Sequence, residues 1–165
     1  MQAIQYHLLA QVEEQHWWHR TLRRAVAEML AKFGDGRRLA MLDAGCGTGG
    51  LLAALRDRHS VYGLDFSSLA LSYSKTRGLD RLAGGRVDRM PFGEASFDAV
   101  VSVDVLSHRS IPSDYAAVCE IQRVLRPGGL FVLQLSAFER LRGAHDESVH
   151  QARRYTRRQV TDLLE

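Results

Sequence analysis

Cysteine is scarce: Cys46 and Cys119 are the two in 165 residues. They have neither the number nor the spacing of a disulfide framework or a zinc site, so no metal is expected and a reducing compartment fits. Proline occurs only at Pro91, Pro112 and Pro127, which reads as punctuation and not as a linker. Internal repeats and low-complexity segments are lacking. No apolar run approaches the roughly 18 residues of a membrane span, and the opening MQAIQYHLLAQVEEQ carries acids where a signal peptide has its apolar core. The expectation is therefore no membrane and a cytoplasmic location. A charge excess is also nearly absent, with 22 Lys+Arg against 19 Asp+Glu and a net charge of +3, which makes a nucleic-acid partner unlikely by composition. What remains is an ordinary globular balance, 45% apolar and 25% charged, in a chain long enough to bury a core without a staple.

Short apolar runs alternate with amphipathic ones. Arg38–Leu42, Val61–Leu64, Phe97–Val103 and Leu130–Leu135 read as buried parallel strands, with a weaker one over Leu82–Val87. Between them, helical patterns follow the glycine loop, a cap at Ser67, and a cap at Ser113 or Asp114. The alternation predicts an α/β, doubly wound, mainly parallel sheet with right-handed crossovers. Ahead of it, Gln15–Phe33 carries a stripe of Trp18, Leu22, Val26, Met29 and Phe33, ended by Gly34-Asp35-Gly36. Residues 1–36 are thus expected to form a helical cap, and 37–165 the core domain.

The chemistry concentrates in MLDAGCGTGG, residues 41–50. Gly45, Gly47 and Gly50 fit G-x-G-x-x-G between a predicted strand and a predicted helix, where missing Cβ atoms let a ligand approach the backbone. Asp65 ends the next strand, 20 residues after Gly45, placed to accept from both hydroxyls of a ribose. These features serve a nicotinamide dinucleotide and another adenosine cofactor equally. Later segments separate them: Asp88 is placed to meet an adenine amino group, beside Arg89, and Met90 to pack on the ring, all at the carboxyl edge of the sheet.

With LDAGCGTG, VYGLDFS, DRMPFGEASFDAVVSVDVL and RVLRPGGLFVLQL in that order, the chain resembles the class I S-adenosylmethionine-dependent methyltransferases over about Leu39–Leu135. The resemblance implies a Rossmann-like fold, S-adenosylmethionine as donor, S-adenosylhomocysteine as product, and a small-molecule methyl acceptor. It assigns Asp43, Gly45, Cys46, Gly47, Thr48, Gly49, Asp65, Phe66, Asp88, Arg89, Met90 and Val103 to the cofactor. In some small-molecule members a similar HWW…R helix closes over the cofactor, which adds Trp17, and Arg20 as partner of the cofactor carboxylate. His108, just past the fourth strand, is the candidate general base. His145, His150 and Tyr155 border the expected acceptor pocket.

Cys46 reads as a small packed side chain, not a nucleophile. Arg153, Arg154, Arg157 and Arg158 read as a solvated helix face more than a phosphate stripe. Thr156-Arg157-Arg158-Gln159 is a capping box that opens a last short helix. The resembling family has seven strands and only five are legible, so the last two are expected to be absent. A shortened chain, or a homo-oligomer covering the open sheet edge, would account for that. Two other readings stand: a cofactor-binding or assembly module without turnover, and an NAD-dependent oxidoreductase.

Overall fold

A computed structural model describes residues 3–165. The helices are α1 (Ala3–Val12), α2 (Trp17–Phe33), α3 (Gly50–Leu55), α4 (Ser68–Thr76), α5 (Asp114–Val124), α6 (Ala144–Ser148) and α7 (Arg157–Leu164); the strands are β1 (Ala40–Ala44), β2 (Ser60–Asp65), β3 (Leu82–Gly84), β4 (Phe97–Val103) and β5 (Leu125–Gln134). The strands form one sheet in the order β3-β2-β1-β4-β5, and every paired neighbour is parallel. The order reverses beside β1, so the loops after β1, β2 and β4 converge on one crevice at the carboxyl edge.

Apolar side chains cover both faces of the sheet, as the near-continuous apolar strands require. One layer packs Leu42, Leu64, Val100, Ile121 and Val124 together; the other packs Met41, Leu52, Val101, Val26 and Leu30. Ser67 and Ser113 each cap a helix by accepting from a backbone N–H three residues on, and Thr156 and Gln159 form the reciprocal capping box of α7.

Four expectations need correction. The fifth strand starts at Leu125, because pairing jumps from Phe97 with Leu125 to Ala99 with Leu130 and lets 126–129 loop out as the Pro-Gly-Gly turn. The third strand stops at Gly84, since a tight turn pairing Arg86 with Arg89 follows. The N-terminal helical region is two helices, not one, and the buried face of α2 is Val26 and Leu30, with Trp18, Met29 and Phe33 substantially exposed. The i, i+4 spacing of Val26 and Leu30 follows the core, whereas Met29 and Phe33 lie on the row that turns away from it. Finally, two of the four C-terminal arginines face inward. Arg153 donates to the carbonyls of Leu106 and Ile111, and Arg154 grips the buried Asp146 with two bonds of 2.7 and 3.0 Å.

Beyond β5, residues 137–156 fold back across the carboxyl edge and bridge His108 to Gln151 and Ala137 to Tyr155. Among the described residues no strand lies outside β5, and no helix is long and apolar enough to cross a membrane.

Candidate active site

A cavity of about 800 Å³ opens at the sheet's reversal point. Its floor is the loop after β1. Gly45 has φ +101° and packs so closely that an added Cβ would lie 2.2 Å from Val105, while Gly47 has φ +54° and nothing within 4 Å of where its Cβ would stand. The first glycine thus serves close packing, and the second leaves an open approach for a ligand. The loop N–H groups of Gly45 and Cys46 both donate to the Leu64 carbonyl, at 2.8 and 2.9 Å, so β2 orders them.

Three carboxylates meet here. Asp65 accepts from the backbone N–H groups of Gly47 and Ser67, both at 2.9 Å, and each of its oxygens keeps a lone pair for a further donor. Among the described residues no hydrogen bond reaches the Asp43 carboxylate. Burial, with Asp65 and Glu13 nearby, pushes its pKa up to about 7. Glu13, from the turn after α1, is buried; it accepts from the Thr48 hydroxyl at 2.6 Å and from Arg77 at 2.5 Å. Burial also pushes the Cys46 thiol far above its ordinary range, which leaves it inert as a nucleophile.

Asp43, Gly45, Cys46, Gly47, Thr48, Asp65, Phe66, Val103, His108 and the mostly exposed Trp17 all line this cavity. The other expected residues do not. Gly49 packs against Ser74 and Leu79. Asp88 is held by Nε and Nη2 of the Arg86 guanidinium, at 2.8 and 2.6 Å, which lowers its pKa. Met90 is buried in the core beside Val87 and Phe97, and Arg89 is exposed. Gly85, Arg86 and Val87 take the lining positions instead. Arg20 is exposed outside the cavity; Arg23, one residue short of a full turn on, lines it while donating to the Glu13 carbonyl at 2.8 Å. Of the C-terminal candidates His145 lines the cavity. His150 stands behind it, its ring 5.9 Å from that of His108. Tyr155 is buried, its hydroxyl 2.9 Å from Asp114.

Toward the C-terminal segment the wall is polar. Asp104, Ser136, Gln151 and Arg154 line it with His108. The His108 Nδ1 lies 2.7 Å from the Ser110 hydroxyl and 3.1 Å from the Ser110 backbone N–H, which donates to it, an arrangement that favours the neutral ring with its proton on Nε2. Burial, aided by His150 and Arg109, lowers its pKa to about 4. At neutral pH this ring is a hydrogen-bond donor and not the near-neutral base expected of it. Asp104 holds a left-handed backbone, φ +54°, a strained conformation for a non-glycine residue.

The decisive observation is the sequence match that lies on this geometry. Residues 42–133 match the family model described as a methyltransferase domain. The chain belongs to the class I S-adenosylmethionine-dependent methyltransferase family. Among curated relatives it is 34% identical over 153 residues to the malonyl-[acyl-carrier protein] O-methyltransferase of Enterobacter lignolyticus, covering 87% of this chain and 60% of that protein. It is 31% identical to 24-methylenesterol C-methyltransferase 2 of Arabidopsis thaliana, covering 78% of this chain and 37% of the relative. The chain therefore spans roughly a third to three fifths of these relatives. The solved YcgJ protein of Bacillus subtilis superposes with a TM-score of 0.67 at 21% identity, over 82% of this chain and 64% of that one, a likeness of fold.

The lining residues of this methyltransferase domain fit S-adenosylmethionine. Gly47 is open to a ligand, Asp43 offers a carboxylate to an ammonium, and Asp65 keeps acceptor capacity for two hydroxyls.

Proposed function

We propose that this chain transfers a methyl group from S-adenosylmethionine to a small-molecule acceptor. The observation that carries the proposal is the convergence of Asp43, Gly47 and Asp65 on one cavity that His108, Asp104 and Ser136 also line. Bound there, the sulfonium supplies a methyl group already activated for in-line transfer.

The chain's own residues supply binding, orientation and water exclusion. Asp43 pairs with the amino acid ammonium and Asp65 with the ribose diol. Phe66 and Val87 offer apolar faces to the adenine. Tyr6, Leu9 and Trp17 roof the cavity from the N-terminal helices, and the apolar roof lowers the local dielectric around the reacting centre. His108 donates through Nε2 toward the acceptor side. The names of the curated relatives include a malonyl-acyl-carrier-protein and a sterol methyltransferase beside probable tRNA methyltransferases, and the near-balanced charge of this chain, +3 overall, supports the small-molecule acceptor.

The test is transfer of isotope-labelled methyl from S-adenosylmethionine to a metabolite panel. Labelled product with any acceptor supports the proposal. Tight binding of S-adenosylhomocysteine with no transfer to any acceptor favours the second reading, a cofactor-binding module without turnover.

A further inference from the structure

His108 is the obvious candidate for a proton acceptor in the cavity, yet its geometry assigns it the opposite role. A backbone N–H can only donate, so the 3.1 Å contact from Ser110 requires the Nδ1 lone pair, and the Ser110 hydroxyl, 2.7 Å from the same nitrogen, is able to donate to it as well. The neutral ring then carries its proton on Nε2, and the face left for a ligand can give a hydrogen bond but not take a proton.

The wall beside it has the reverse imbalance: too many acceptors. Ser136 Oγ lies 3.0 Å from Asp104 Oδ1 and 3.3 Å from Gln151 Oε1. A hydroxyl has one proton and cannot serve both. Rotating the Gln151 amide does not help, because its Nε2 donates to the Arg153 carbonyl at 3.1 Å and the exchange would set two oxygens against each other. The Gln134 amide also approaches Asp104, while its own oxygen is buried without a partner. An ionised carboxylate accepts about four hydrogen bonds, so Asp104 still has capacity on the cavity side. Burial raises its pKa, against the pull of Arg154 and His145. Its left-handed backbone at the end of β4 is retained at a conformational cost, and it sets this side chain in the cavity wall.

We propose that Asp104, not His108, receives the proton of the methyl acceptor, and that the acceptor is accordingly a hydroxyl or amine compound. The inference rests on the methyltransferase reading given above. In the step, the acceptor's oxygen or nitrogen lone pair forms the new bond to the methyl carbon. The carbon–sulfur bond breaks with its electron pair passing to sulfur, and the O–H or N–H proton passes to the Asp104 carboxylate and then to water. Charge balances: a sulfonium and a neutral acceptor give a neutral thioether, a methylated product and one proton. Carbon centres of alkenes and thioether sulfurs present no such proton and gain nothing from this wall.

The experiment uses the whole chain saturated with S-adenosylhomocysteine and a panel of matched compounds, each hydroxyl paired with its O-methyl ether and each amine with its quaternary trimethylammonium counterpart, which has no N–H. Binding is read by ligand-observed NMR. The product cofactor lacks the methyl group and so leaves room for a single methyl cap, which means the hydroxyl pairs differ in the proton and not in fit. The expected result is that uncapped members bind roughly tenfold tighter than capped ones, the worth of one charge-assisted hydrogen bond. Asp104→Asn tolerates the same left-handed backbone but turns an amide donor toward the ligand, and it is expected to abolish the preference. A preference confined to hydroxyls or to amines identifies which of the two the site serves.

No preference for uncapped compounds in the unmodified chain, including no binding of either kind, would overturn the proposal without recourse to any variant. So would a preference that survives in Asp104→Asn. Failure of S-adenosylhomocysteine to bind at all would instead remove the methyltransferase reading on which the inference rests.

Discussion

The Thr48 hydroxyl donates to Glu13 Oε1 across 2.6 Å, joining the turn after α1 to the loop that floors the cavity. Arg77, from the end of α4, completes the junction by pairing with Glu13 and donating to the Thr48 carbonyl at 2.8 Å. The N-terminal helices are thereby fastened to the cofactor loop itself. Glu13→Ala removes the buried partner of the Arg77 guanidinium, which keeps its pair with the exposed Glu14 and its bond to the Thr48 carbonyl, and it leaves the Thr48 hydroxyl unpaired, so the cost is about 1–3 kcal/mol. Thermal unfolding should shift down by several degrees and affinity for S-adenosylhomocysteine should fall with it. An unchanged melting temperature would show that the junction is not structural.

Gly45→Ala tests the floor. Its Cβ would stand 2.2 Å from Val105 at a backbone angle of φ +101°, so both a steric and a conformational penalty apply, the latter alone about 1–3 kcal/mol. Calorimetric titration should find cofactor affinity reduced at least tenfold; binding equal to that of the unmodified chain would contradict the assigned packing.

Asp43 gives a pH dependence with a definite sign. Its carboxyl sits at about 7 in the free protein, and the ligand's ammonium favours the ionised form. Affinity for S-adenosylhomocysteine should rise from pH 6 to pH 8 by about tenfold and then level off, since one pKa unit corresponds to a factor of ten. Asp43→Asn should flatten this profile. The free protein behaves oppositely: the folded state holds a proton between the ordinary carboxylate value and about 7 that the unfolded state has released, so stability falls as pH rises through that window. Titrations at several pH values check both slopes.

At the other end of the pH scale lies Asp146, held by Arg154 at about 2 and thus below its ordinary value of 3.8. The stability it contributes is fully present above about pH 4 and is lost as pH falls toward 2. Asp146→Asn should remove that acid-limb component in urea unfolding curves. Because Arg154 also lines the cavity, the same variant should change the acceptor side while leaving the Asp43 profile intact.

Much of this was legible from spacing. Asp43, Gly45, Gly47 and Asp65 fall at strand ends whose positions the apolar runs fix within one or two residues, and a strand end dictates which edge a side chain serves. Asp88 and Met90 lie outside the cavity lining, after a tight turn beyond β3: Arg86 pairs with Asp88, and Met90 packs in the core. No local pattern announces a turn built from Val-Asp-Arg. Glu13 escaped notice because its role depends on where α1 folds back, a contact spanning 35 residues of chain to Thr48. Asp104 lay within a quoted motif, but its importance comes from a left-handed backbone and from Ser136, neither of which a single sequence displays.

The most direct test of the account is isothermal calorimetry of the intact chain with S-adenosylhomocysteine and, separately, with NAD. Saturable binding of one S-adenosylhomocysteine per chain with no heat from NAD is the expected result. Binding of NAD with none of S-adenosylhomocysteine would contradict it.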